Sequence, residues 1–336
     1  MWRMIALVIT IVAADNCSSV SLDAAEGPQA RAVKFFGYDK AIELTRGETR
    51  AIVSPEAGGR LLEFSVNGKQ ALYLDEQDKN RKPGGPGPIT AGRFDFGPEL
   101  TTAAHPKIWS GDWTAEITGK CSIRLTSPRD EATGVQLVRD FEIHDAKAND
   151  ADKPLRLSCR QTIINIGGEP REYCHWGRSF SPGGGICLVP LAGRSRFPSK
   201  YAMYEDSAVV NVKPVDNRIR ERDGFLEILG PPRKPKLGFD SYAGWLAYLM
   251  PNNTLFVKRF ATFPDRVYSE AAGLTLSVWF PEGPRIELEP IGPRERLQPG
   301  EKASFTEDWW LLSFPFPKEG EQIDLKRLSE LVREVQ

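Results

Sequence analysis

The sequence predicts an all-β protein, a large antiparallel β-sandwich with one short C-terminal helix. Three observations carry this expectation. From about residue 51 onward, short apolar runs alternate with clusters of Gly, Pro, Asn and Asp, the pattern of strands joined by turns. Helical periodicity is nearly absent over the same stretch. Only near the C-terminus do Ile323, Leu328, Leu331, Val332 and Val335 recur at three- and four-residue spacing, behind Asp324 as a candidate cap.

Taken in order, strands are expected at residues 50–54, 60–66, 113–118, 122–126, 135–143, 155–166, 186–190, 225–229, 245–250, 255–260, 274–280, 285–289 and 304–312. That many strands imply a large sandwich. The stretch Lys82-Pro83-Gly84-Gly85-Pro86-Gly87-Pro88 cannot be helix or central strand, because proline lacks an amide proton and glycine favours open backbone angles. It reads as a long loop, either lining a cleft or lying plainly on the surface. The terminal helix is expected to pack against the sandwich.

Size and charge narrow the partners. At 336 residues, with 40% hydrophobic and 26% charged side chains, the chain can bury a substantial core. The 44 Lys and Arg against 45 Asp and Glu leave a net charge of -1, so no global field favours nucleic acid or anionic membrane. Met1-Trp2-Arg3 followed by the apolar run from Met4 to Ala14 reads as a signal peptide, too short to span a bilayer, with an uncleaved anchor or a buried first strand as the alternatives. The expected organisation is therefore residues 1–25 as signal and 26–336 as one sandwich domain, secreted or periplasmic, with no integral membrane segment after cleavage. Cys17 follows Ala14-Asp15-Asn16, which is not the small apolar set that lipoprotein processing wants. Cys121, Cys159, Cys174 and Cys187 remain, an even set that export would allow to pair; no Cys-x-x-Cys supports a zinc ribbon or redox site, and they read rather as buried thiols inside strands.

Familiar catalytic signatures are missing: no Gly-x-Ser-x-Gly elbow, phosphate loop, dinucleotide fingerprint or His-Glu-x-x-His occurs. The three histidines, His105, His144 and His175, lie far apart without ligand spacing, so no metal site is expected. His144 ends a polar strand and is expected to face solvent. His175 stands in Tyr173-Cys174-His175-Trp176-Gly177-Arg178, after a Gly-Gly-Glu-Pro turn. Imidazole, indole and guanidinium together suit a sugar, whose C–H face stacks on an aromatic ring while its hydroxyls meet donors and acceptors; a structural histidine at a strand end fits equally. In Arg285-Ile286-Glu287-Leu288-Glu289-Pro290, alternation sets the aliphatics on one face and the charges on the other. Glu289, expected at a strand end before a Pro and Gly turn, is either a partly desolvated carboxylate suited to proton transfer or an ordinary exposed strand glutamate.

Three segments carry a resemblance. Asn165 to His175 looks like the histidine-bearing central strand of the aldose 1-epimerase, or galactose mutarotase, family. Ile286 to Glu289, followed by Leu297-Gln298-Pro299-Gly300-Glu301, is similar to that family's catalytic glutamate strand and its trailing turn. Val53-Ser54-Pro55-Glu56-Ala57-Gly58-Gly59-Arg60-Leu61 resembles its early Gly-Gly-Arg hairpin. Together these span roughly residues 51–314.

The resemblance implies a galactose mutarotase-like supersandwich, a carbohydrate ligand and no cofactor. It implies Glu289 as base at the anomeric hydroxyl and His175 as acid at the ring oxygen, in an aldose 1-epimerase-like isomerase. Arg93, Glu99, His105, Trp109, Trp113, Trp176 and Arg178 are the expected substrate-binding residues, with 93–99 read as a sugar-contacting loop or a salt-bridged turn. The family's loop with a second histidine is not evident, and His105 is the candidate for its place. Non-catalytic glycan binding and an accessory structural role are the alternatives.

Overall fold

The computed structural model describes residues 27–85, 89–145, 154–206 and 209–335. The expected signal segment with Cys17, and residues 86–88 of the Pro-Gly loop, lie outside the described residues. Among the described residues, two antiparallel sheets of twelve and ten strands face each other, with a short helix, Leu325–Glu334, against the outside of the smaller one. The larger sheet is built around three neighbours, Gly92–Gly97, Arg171–Pro182 and Arg285–Leu297, flanked by Arg60–Val66 on one side and by Leu276–Trp279 and Lys236–Phe239 on the other. The smaller sheet includes Val135–Ile143, Leu157–Asn165, Lys302–Ser313 and Thr254–Phe260 in that order.

Between the sheets, Phe64, Phe94, Phe256 and Trp309 pack ring on ring, with centroids 5.1 to 6.2 Å apart. Burying such rings supplies a large share of the driving force. The interior is not wholly apolar. Lys258 and Glu307, both fully buried, form an ion pair at 2.9 Å, and Lys258 also donates to Ser179 Oγ and the Leu288 carbonyl. Arg139 crosses the core to donate to the carbonyls of Gly58, Gly59 and Phe94. Cys121, Cys159, Cys174 and Cys187 are all buried free thiols, as expected; Cys159, Cys174 and Cys187 lie inside strands, and Cys121 lies in a turn between two.

Most expected strands form within a residue or two of their predicted limits; Arg60–Val66, Ser122–Thr126, Val135–Ile143 and Ile186–Pro190 match end to end. The helix also forms, with the Asp324 carboxylate accepting from the Arg327 amide and with Leu328, Val332 and Val335 buried against Trp310, Leu312 and Phe314.

Two expectations fail in part. Residues 93–97 form neither loop nor turn, because Gly92–Gly97 is a buried strand in the middle of the larger sheet; the chain turns only at Pro98 and Glu99, while the expected ion pairing is present through Arg93, Asp95 and Glu99. Nor does the chain turn after Glu289. The strand Arg285–Leu297 continues through Pro290, Gly292 and Pro293, with a register shift against Arg171–Pro182 between Cys174 and Trp176. That bulge falls opposite Gly292 and Pro293, where a missing amide proton costs little.

Candidate functional site

Alternation along Arg171–Pro182 divides the site from the core. His175, Gly177 and Ser179 turn inward: the His175 ring stacks on Phe305 with centroids 5.8 Å apart, a side chain at 177 would collide with Glu307, and Ser179 meets Lys258. Cys174, Trp176, Arg178 and Phe180 turn outward. On the neighbouring strand Ile286 and Leu288 fill the core while Glu287 and Glu289 take the outer face beside them, and on the other side Gly92–Gly97 contributes Arg93 and Asp95.

These outward groups form a buried charged network. Arg93 donates to Glu287, and Arg178 Nε donates to the same carboxylate oxygen at 3.1 Å. Arg178 also lies 3.6 Å from Asp95 and 3.7 Å from Glu99. Glu289 accepts from Trp176 Nε1 at 2.8 Å, and Lys236 Nζ sits 2.7 and 2.5 Å from its two oxygens. Aromatic faces hold the cations: the Arg93 guanidinium lies 4.7 Å from the Trp109 ring and 4.6 Å from Phe180, and Arg178 lies 4.7 Å from Trp176.

The two glutamates titrate apart. Burial alone would raise Glu287, but Arg93 and Arg178 outweigh it and hold the carboxyl at about 2. Burial raises Glu289, and the adjacent Glu287 adds to the shift; Lys236 offsets only part of it. Above them His105 Nε2 lies 2.9 Å from Asp95 and Nδ1 lies 2.8 Å from the Ala103 carbonyl. Both ring nitrogens thus face acceptors. Burial opposes charge on the ring, yet Asp95 and that carbonyl raise its pKa above the ordinary value.

Two open cavities lie over this network. One, of about 390 Å³, is lined by Asp95, His105, Trp109, Trp176, Arg178 and Glu99; the other, of about 650 Å³, includes Arg93, Arg178, Phe180, Trp279, Glu270 and Glu99 in its wall. The helix carrying Trp109, Pro106–Ser110, can approach because of two left-handed glycines. At Gly58, φ 76°, an added Cβ would lie 2.1 Å from the Trp109 carbonyl oxygen, and at Gly59, φ 57°, it would lie 2.7 Å from the Trp113 ring. Among the described residues no group of three His, Cys, Asp or Glu side chains is arranged to hold a metal ion.

No protein-family model matches the sequence, and no curated protein matches it. Solved structures do. A galactose mutarotase-like protein from Lactobacillus casei ATCC 334 superposes with a TM-score of 0.56 at 13% identity, over 81% of this chain and 100% of that one. A putative aldose 1-epimerase from Escherichia coli K12 gives 0.54 at 12%, over 81% and 98%. The Slr1438 protein from Synechocystis sp. PCC 6803 gives 0.55 at 15%, over 87% and 99%. The chain has the galactose mutarotase-like fold.

Within this mutarotase-like fold, Arg93, Glu99, His105, Trp109, Trp176 and Arg178 come together around the two cavities. Trp113 does not. Its ring is buried beneath the helix, with Nε1 donating to the Ile108 carbonyl, and Arg139 lies 4.3 Å from its centre. His175 and Glu289 likewise fail to meet, since one residue along a strand reverses a side chain's direction and Trp176 takes the place beside the glutamate. The His175 Nε2 instead meets the Ala303 carbonyl at 3.2 Å, Nδ1 has no hydrogen-bond partner, and burial pushes the pKa down to about 4. His144 is partly buried on the outside of the smaller sheet, with Nε2 2.9 Å from Ser158 Oγ. Sequence reasoning missed Asp95, Lys236, Phe180, Glu270 and Trp279 as site residues. Asp95 shares the alternation of Arg93 and was within reach; Lys236, in a Pro-Pro-Arg-Lys-Pro-Lys run, carried no signal.

Proposed function

We propose that this protein binds a carbohydrate in the cleft on the outer face of the larger sheet. The observation that carries the reading is the lining itself. Half-buried indoles of Trp109 and Trp279 stand beside oriented guanidinium and carboxyl groups, in spaces of the size small-molecule sites have, roughly 300–1,000 Å³. Indole faces suit the C–H side of a pyranose, and fixed donors and acceptors suit its hydroxyls. The fold's resemblance to mutarotase-like proteins supports the same ligand class. A glycan array followed by calorimetry tests it: a bound sugar is expected, and Trp109→Ala should weaken it about 10- to 100-fold. Absence of binding to any glycan would overturn the reading.

Binding without turnover is the primary reading because Glu289 is sealed by Trp176 and Lys236 and has no imidazole beside it. One observation favours anomer interconversion as a second reading. Two carboxyls on one strand face, Glu287 held ionised and Glu289 raised, are the arrangement acid and base roles require. Polarimetry on fresh aldoses separates the two: turnover by the wild type, reduced about 10²- to 10⁴-fold in Glu289→Gln, selects the epimerase. We further propose export with removal of the leader, on the basic and apolar pattern of residues 1–14; protein found only in the cytoplasm would refute export, and an intact Met1 on exported protein would refute the removal.

A further inference from the structure

We infer that the cleft's ligand is an oligosaccharide of at least two sugar units, seated in two subsites that meet at Arg178. The inference rests on the carbohydrate reading and deepens it. The cavities of about 390 and 650 Å³ adjoin, with Arg178 and Glu99 common to both walls, and each alone is large enough for a small-molecule site of roughly 300 Å³ or more. Each also has one half-buried indole, Trp109 in the first and Trp279 in the second, backed by a buried ring: Trp176 under Arg178 and Lys236, and Phe180 under Arg93 and Arg285. Phe180 and Trp279 are T-stacked, with centroids 6.1 Å apart, and Arg285 lies 5.6 Å from the Trp279 ring.

The junction between the subsites is built to stay in place. Arg178 is held from one side by Glu287 at 3.1 Å and from the other by Asp95 at 3.6 Å and Glu99 at 3.7 Å, with Trp176 beneath its guanidinium. A guanidinium fixed in this way stands in the wall of both spaces, with five N–H donors of which only Nε is given to Glu287 within hydrogen-bond distance. A single pyranose on Trp109 would leave the larger space, with the Trp279 indole, filled by water. A linked pair of sugars can use both platforms and pass its bridging oxygen by Arg178.

The experiment is titration calorimetry with glucose, galactose and mannose, and with α-1,4- and β-1,4-linked di- and trisaccharides of each. For whichever series binds, the disaccharide is expected to bind about 10-fold or more tightly than its monosaccharide, a gain of about 1.4 kcal/mol. In Trp279→Ala, checked by a thermal melt, the ratio of the two affinities should fall to about one. A disaccharide that binds no better than its monosaccharide would overturn the inference and leave the carbohydrate reading standing. So would a chain-length gain that survives in folded Trp279→Ala. If no member of any series binds, the carbohydrate reading falls and the inference falls with it.

Discussion

Glu287 and Glu289 point the same way from one strand, two residues apart, and their neighbours drive them in opposite directions. Two arginines keep Glu287 charged; burial and the charge on Glu287 raise Glu289. Glu289→Gln keeps the shape and still accepts from Trp176, so any ligand affinity should change little, whereas any epimerase activity should fall as stated above. His175 makes a different prediction. Its folded pKa of about 4 lies below the unfolded value of roughly 6.5, so between these pH values the unfolded chain binds a proton that the native one refuses. The unfolding free energy should therefore fall as pH drops from about 6.5 to 4, by an order of about 3 kcal/mol from this one group. Urea denaturation at pH 7 and 4.5 checks it: His175→Phe should lose part of the pH dependence. An unchanged slope would mean the ring is not buried as a neutral group.

At the scale of single elements, the strand Arg171–Pro182 depends on Gly177 for close approach of the two sheets. An added Cβ there would lie 1.9 Å from Glu307 Oε1, and Glu307 is held by Lys258 at 2.9 Å and Trp309 Nε1 at 3.0 Å. Gly177→Ala should cost about 1–3 kcal/mol, read as a lower Tm, because the carboxylate has no room to retreat. The terminal helix is simpler. Its cap and apolar spacing were legible in the sequence, and Leu328 is fully buried against the smaller sheet, so Leu328→Ala should cost about 2–5 kcal/mol. Strands with clean alternation were equally legible. Gly92–Gly97 was not, since it is buried on both faces and its Arg93 and Asp95 imitate the composition of a polar loop. The strand through Pro290 and Pro293 was misread because a bulge absorbs residues that usually end a strand.

For the whole molecule, the apolar core and the charged cleft occupy different surfaces of the same strands. The core lies between the sheets, around Phe94, Phe256 and Trp309, while the charged cleft lies on the far face of the larger sheet. Trp109→Ala should accordingly reduce ligand binding with little change in Tm, whereas Gly177→Ala should lower Tm whether or not ligand is present. A Trp109 variant that melts as early as the Gly177 variant would contradict this division. What the sequence by itself determined were properties set by nearest neighbours along the chain: strand content, the capped helix, the face shared by Glu287 and Glu289, and the fold they resemble. Tertiary structure alone decided which side chains meet. It turned His175 inward and Trp176 outward, covered Trp113, and brought Lys236 from 53 residues away onto Glu289. The physical reason is that strand periodicity alternates faces without saying which face is buried, and sheet order, formed by pairings between distant segments, settles that only when the chain is folded.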